Sequence, residues 1–125
     1  MPRAFFDGAD AQQLARLHFF NWPVSARPAA LDNPWTLLQA VALPGDHVVV
    51  KLDIDTEAVE VPLAMQLLNS SALQALVDDF YFEFHFSNKD IEWLWKRGEF
   101  SATVADTYRL FSQLRHLGVR ANPWP

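Results

Sequence analysis

The densest chemistry in this chain is Lys51-Leu52-Asp53-Ile54-Asp55, where an apolar stretch ends on two acids. Two aspartates two residues apart share a face when the backbone is extended, at roughly 7 Å along the chain. Such a pair can hold a divalent cation through oxygen ligands, or accept the proton of a bound hydroxyl. The plainer use is local, because aspartate favours strand-to-helix turns and caps the backbone that follows. Glu83 and His85 alternate in the same way and can act as a base and its orienter, or form a solvated strand face. His18, His47 and His116 have no metal-ligand spacing between them. Trp93, Trp95 and the other tryptophans are read as core or rim packing rather than as stacking platforms. Gly8, Gly45, Gly98 and Gly118 are isolated, so no dinucleotide or phosphate-loop fingerprint is present.

The elements that must position these groups follow from punctuation and periodicity. Leu14 and Leu17 suggest a short helix over residues 10–17. His18-Phe19-Phe20-Asn21-Trp22 is aromatic, strand-like material, which Pro23 keeps from being a central strand. Residues 25–32 read as loop. Asn33-Pro34 starts a helix, with the amide as cap and proline in the first turn, and Pro44-Gly45 ends it. His47 to Asp53 is a strand whose three valines run without alternation, as in a parallel strand covered on both faces. A truncation such as Val49→Ala is therefore expected to leave a costly cavity, and Asp53→Asn to cost less. Thr56 to Asn69 is helical, with Pro62 predicting a short first turn and a main helix starting near it. Ser70 or Ser71 caps a short helix carrying Leu73, Leu76 and Val77. Phe80 to Phe86 alternates cleanly as a strand. Ser101 caps a helix through Leu117, with Val104, Tyr108, Phe111 and Leu114 as its apolar stripe, before Gly118 and a strand from Val119. Strands separated by helical crossovers make an α/β pattern, and the strands at 48–53 and 80–86 are expected to be parallel neighbours.

Composition bounds the function. The 125 residues suit one domain, 1–125, and half are apolar, enough for a core. A net charge of −5 disfavours nucleic acid and anionic membranes as partners, as does a basic cluster no larger than Lys96-Arg97. The absence of cysteine excludes disulfide scaffolds, thiolate metal sites and thiol nucleophiles. No signal peptide or apolar run near 20 residues is present, so the expected compartment is the cytoplasm.

Taken in order, Val48-Val49-Val50-Lys51-Leu52-Asp53-Ile54-Asp55, then Glu60 and a Leu-rich helix, then Phe82-Glu83-Phe84-His85, resembles the FkbM-type methyltransferases. That family shows a strand ending Lys-Ile-Asp-x-Glu-Gly, a helix opening with glutamate, and a later strand ending Glu-x-His. Here aspartate stands for glutamate at 55, Thr56 for the glycine, and about two extra residues precede Glu60. The resemblance implies a partial Rossmann-like, class I methyltransferase sheet, mainly parallel and flanked by helices. It further implies S-adenosylmethionine as methyl donor and a small-molecule acceptor. Asp53, Asp55, Glu83 and His85 would be catalytic, and Glu60 substrate-binding. The family's cofactor loop and ribose-binding acid belong to earlier strands, so the chain reads as the later portion of that fold. The isolated chain is then expected not to bind S-adenosylmethionine, and the flank of the valine strand to be open to self-association. Two other readings remain: a metal-dependent transferase using Asp53-x-Asp55, and a non-catalytic interaction module completed by a partner.

Overall fold

A computed structural model describes residues 8–83 and 102–124. In chain order the elements are α1 (Ala11–Ala15), α2 (Pro34–Val41), β1 (Val49–Leu52), α3 (Glu57–Leu68), α4 (Ser71–Gln74), β2 (Asp79–Phe82), α5 (Val104–His116) and β3 (Arg120–Pro123). The strands form an open sheet in the order β1-β2-β3, both pairs parallel. This is an α/β architecture, and the two acid-bearing strands are the parallel neighbours expected. In register, Val50 lies beside Phe80 and Phe80 beside Ala121, while Leu52 lies beside Phe82.

That register decides which face is core. Leu52, Phe80, Phe82 and Ala121 are buried in one cluster with Trp35, Leu63, Leu67, Leu73, Leu110, Phe111 and Leu114 from the helices. The other face carries Val49, Lys51, Asp79, Tyr81, Arg120 and Asn122. Here the valine run misleads. Val49 is 56% exposed and Leu52 only 5%, so β1 buries alternate residues as a one-sided strand does. Val49 is not the core position its neighbours suggest.

Caps explain where the helices begin. Asn33 accepts from the Trp35 amide at 2.9 Å and Pro34 follows, as expected. The Asn33 amide is buried and also donates to the Arg27 carbonyl and to Gln66 Oε1, while Gln66 reaches back to the Ala26 carbonyl. This network ties loop, α2 and α3 together, and Trp35 Nε1 completes it by donating to the Leu63 carbonyl at 2.9 Å. Ser70 caps α4. At α5 the cap is Thr103 rather than Ser101, in a reciprocal box with Asp106. The core side of α5 is Leu110, Phe111 and Leu114, whereas Val104 and Tyr108 are exposed. Gly118, at φ +94°, turns the chain from α5 into β3.

Three further expectations change. α3 runs unbroken through Pro62, because the one carbonyl deprived of its donor belongs to exposed Ala58 and can turn to water. His18–Trp22 forms no strand; Phe19, Phe20 and Trp22 are exposed, with Phe20 and Trp22 stacked at 5.4 Å. β2 ends at Phe82, and Phe84, His85, Phe86, Trp93 and Trp95 lie outside the described residues.

The amino end of the sheet is tied by charge. Arg120 grips both oxygens of its register partner Asp79 at 2.7 Å, and His47 Nε2 lies 2.9 Å from the same carboxylate. The hydrogen bond from Arg120 is the main cause holding the Asp79 carboxyl below its ordinary value of 3.8. A depressed carboxyl stabilises the fold above its unfolded pKa, and that contribution disappears as pH falls through the folded value. Asp79→Asn should therefore flatten the loss of stability below about pH 4, measured by urea melts across the acid range. The same melts at neutral pH rank the strand positions. Leu52→Ala should cost about 2–5 kcal/mol, and Val49→Ala less than about 1 kcal/mol.

Candidate functional site

Asp53 is the first residue past β1, and Glu83 the first past β2, so both stand at the carboxyl end of the sheet. This is where open α/β sheets hold their ligands. The Glu83 amide donates to the Leu52 carbonyl at 3.4 Å, carrying the strand pairing one step further and setting Glu83 beside Asp53. Asp55 reaches the same place by a different route from the one its spacing suggests. Its φ is +56°, in the left-handed region, so the chain turns at Asp55 instead of remaining extended. One carboxylate oxygen from each of Asp53, Asp55 and Glu83 then lies within 4.8 Å of the other two. Both aspartates are exposed and Glu83 is partly buried.

Glu60 holds this turn. It is 1% exposed, and its carboxylate accepts from the Ile54 amide at 2.7 Å and the Thr56 amide at 3.1 Å. Those two amides flank Asp55. The side chain thus reaches from the first turn of α3 back over the loop and fixes the residue with positive φ between its two oxygens. Resemblance assigned Glu60 to substrate; in the structure both its oxygens serve the backbone of the acid loop.

Charge balance comes from a residue that spacing did not single out. Lys51 Nζ lies 2.6 Å from Asp53 Oδ2 and 4.2 Å from the centroid of the Trp124 ring. Trp124 meets Tyr81 edge-on at 6.0 Å. Lys51 and Tyr81 come from β1 and β2 and Trp124 is the first residue past β3, so one cation and two rings line the sheet beside the acids. Alternation in β1 and β2 puts Lys51 and Tyr81 on one face, but Trp124 could be located only by knowing that β3 pairs with β2. His85 lies outside the described residues, so the structure says nothing of its distance from Glu83.

Comparison with family models, curated proteins and solved structures gives no match for this chain.

Removing the Glu60 acceptor should be felt first in the loop. Glu60→Gln keeps one oxygen and turns an amide donor against a backbone N–H, which should cost roughly 1–3 kcal/mol. Amide hydrogen exchange at Ile54 and Thr56 should accelerate in that variant more than at Phe80 and Phe82. Uniform acceleration throughout the chain would show that Glu60 supports the core rather than the loop.

Proposed function

We propose that the carboxyl end of this sheet is the acceptor-handling site of a methyltransferase-like domain of the FkbM type. One observation carries the reading: Asp53, Asp55, Glu60 and Glu83, the described residues on which the resemblance rests, converge at one end of two adjacent parallel strands. In this reading Asp53 or Asp55 accepts the proton of a hydroxyl on a small-molecule acceptor, and Glu83 orients that hydroxyl. Glu60 acts through the loop and does not touch the acceptor. Lys51 sets a positive charge beside Asp53. His85 keeps the orienting role that the resemblance gives it.

The fit to S-adenosylmethionine is poor among the described residues. A nucleotide cofactor needs a turn whose free amides and missing side chains admit it closely. The turn after β1 is Asp53-Ile54-Asp55-Thr56, without glycine, and its Ile54 and Thr56 amides are already given to Glu60.

The convergence within 4.8 Å also favours a second reading, a metal-dependent transferase. Three carboxylates offering oxygen to one point suit a hard divalent cation. Amide spectra of the chain distinguish the two. Under the methyltransferase-type reading, small sugars and polyols should shift the resonances of residues 53–56 and 83 without added metal, and Asp53→Asn with Asp55→Asn should abolish the effect. S-adenosylmethionine at about 100 μM, a concentration within the usual range of enzyme KM values, should leave the spectrum unchanged. Manganese broadening at those residues, lost in the double variant, with no metal-free response to polyols, would replace the first reading with the second. No response at the acids to either class of probe would remove both.

A further inference from the structure

The two outer edges of the sheet are finished differently. On β3 the Arg120 and Trp124 amides donate to Asp78 and Phe82 carbonyls, so Ala121 and Pro123 turn outward. The outward amides there, and the Ala121 carbonyl, are blunted. The Ala121 carbonyl accepts from Arg115 Nε at 2.7 Å, its amide reaches the Val119 carbonyl at 2.8 Å, and Pro123 has no N–H. These are the means by which proteins guard a sheet edge. On β1 the Val48 and Leu52 carbonyls accept from Asp79 and Glu83, so the amides and carbonyls of Val49 and Lys51 point away from β2. Among the described residues no strand, proline or side chain covers that edge. Lys51 is the residue type that often guards one, but its ammonium is drawn toward Asp53 and Trp124.

We infer that β1 pairs antiparallel with β1 of a second copy of this chain, about a two-fold axis at Val50. Charge selects the register. The outward positions must face each other, which leaves few alignments of so short a strand. With the axis at Val49, His47 faces the partner's Lys51; with the axis at Lys51, the two lysines face each other. The first gives Lys51 no carboxylate to face, and the second sets like charges against each other. An axis at Leu52 pairs Lys51 with the partner's Asp53, but it uses only the last two residues of β1 and runs into the turn at Asp55. With the axis at Val50, Val49 faces the partner's Lys51, and Asp53 faces the partner's His47. The whole of β1 is then paired, and an imidazole is brought opposite one acid of the candidate site. The sheet becomes six-stranded and keeps a guarded β3 at both ends.

The chain has no cysteine, so single introduced thiols report the register directly. Val50 would face its own copy across a non-hydrogen-bonded pair, with Cα atoms about 4.5 Å apart, inside disulfide range. Under mild oxidation Val50→Cys should form disulfide-linked dimers roughly tenfold faster than Val49→Cys, Lys51→Cys or Leu52→Cys. Sedimentation equilibrium of the unaltered chain should show reversible dimers between about 10 μM and 1 mM. Lys51→Pro, checked for folding by circular dichroism, should abolish them by removing an outward N–H. A chain that remains monomeric across that range, or that crosslinks fastest at another of the four positions, would overturn the inference; the cysteine series decides even if the proline variant fails to fold.

Discussion

A buried carboxylate that needs two backbone amides is the constraint around which this molecule is arranged. Glu60 lies at 1% exposure, and a charge so placed must be answered by hydrogen bonds. Its answer is the loop between β1 and α3, whose Ile54 and Thr56 amides it holds. Because those amides bracket Asp55, the same contacts maintain a left-handed residue that no glycine relieves. Leu63, Ala64 and Leu67, fully buried one and two turns further along α3, anchor the helix that carries the glutamate. Core packing therefore reaches the acids through one side chain.

The two ends of the sheet use charge in opposite ways. At the amino end, Asp78, Asp79, Arg120 and His47 satisfy one another across the strands, a closed arrangement that fixes alignment. At the carboxyl end, three acids gather with Lys51 as the adjacent cation. Like charges held together by the backbone are an arrangement suited to a cation or to proton acceptance, whereas the amino-end cluster suits alignment alone. Between them runs a mainly polar face that carries Lys51, Tyr81, Arg120 and Asn122, beside a core face that is wholly apolar.

Much of this could be read along the chain. Asn33-Pro34, Ser70 and Gly118 mark real helix boundaries because caps and left-handed turns depend on local chemistry. The parallel pairing of β1 and β2 followed from a helical crossover too long for a hairpin. Val49 was misjudged because an unbroken apolar run carries no information about which face a sheet leaves open. Pro62 was misjudged because the cost of a helical proline depends on whether the orphaned carbonyl meets water. The gathering of Asp53 and Glu83 was legible from strand ends. The inward turn of Asp55 was not, since it depends on Glu60, five residues away and on another element. Trp124 beside Lys51 was hidden for the same reason: two strands of register separate them. No membrane-crossing helix is present among the described residues, in keeping with the lack of any long apolar run.

The order β1-β2-β3 has a consequence for assembly. Each described strand lies beside the one that precedes it in the chain, so the sheet can grow outward by addition at a single edge. No pair already formed has to be opened to admit a later strand, as happens when strand order doubles back. β2 can dock on β1 while the segment leading to β3 is still unmade, and β3 arrives last with its edge already guarded by Arg115 from the helix just before it. During synthesis β1 emerges before β3, so among the described strands the outer edge of β1 forms before the edge that Arg115 guards.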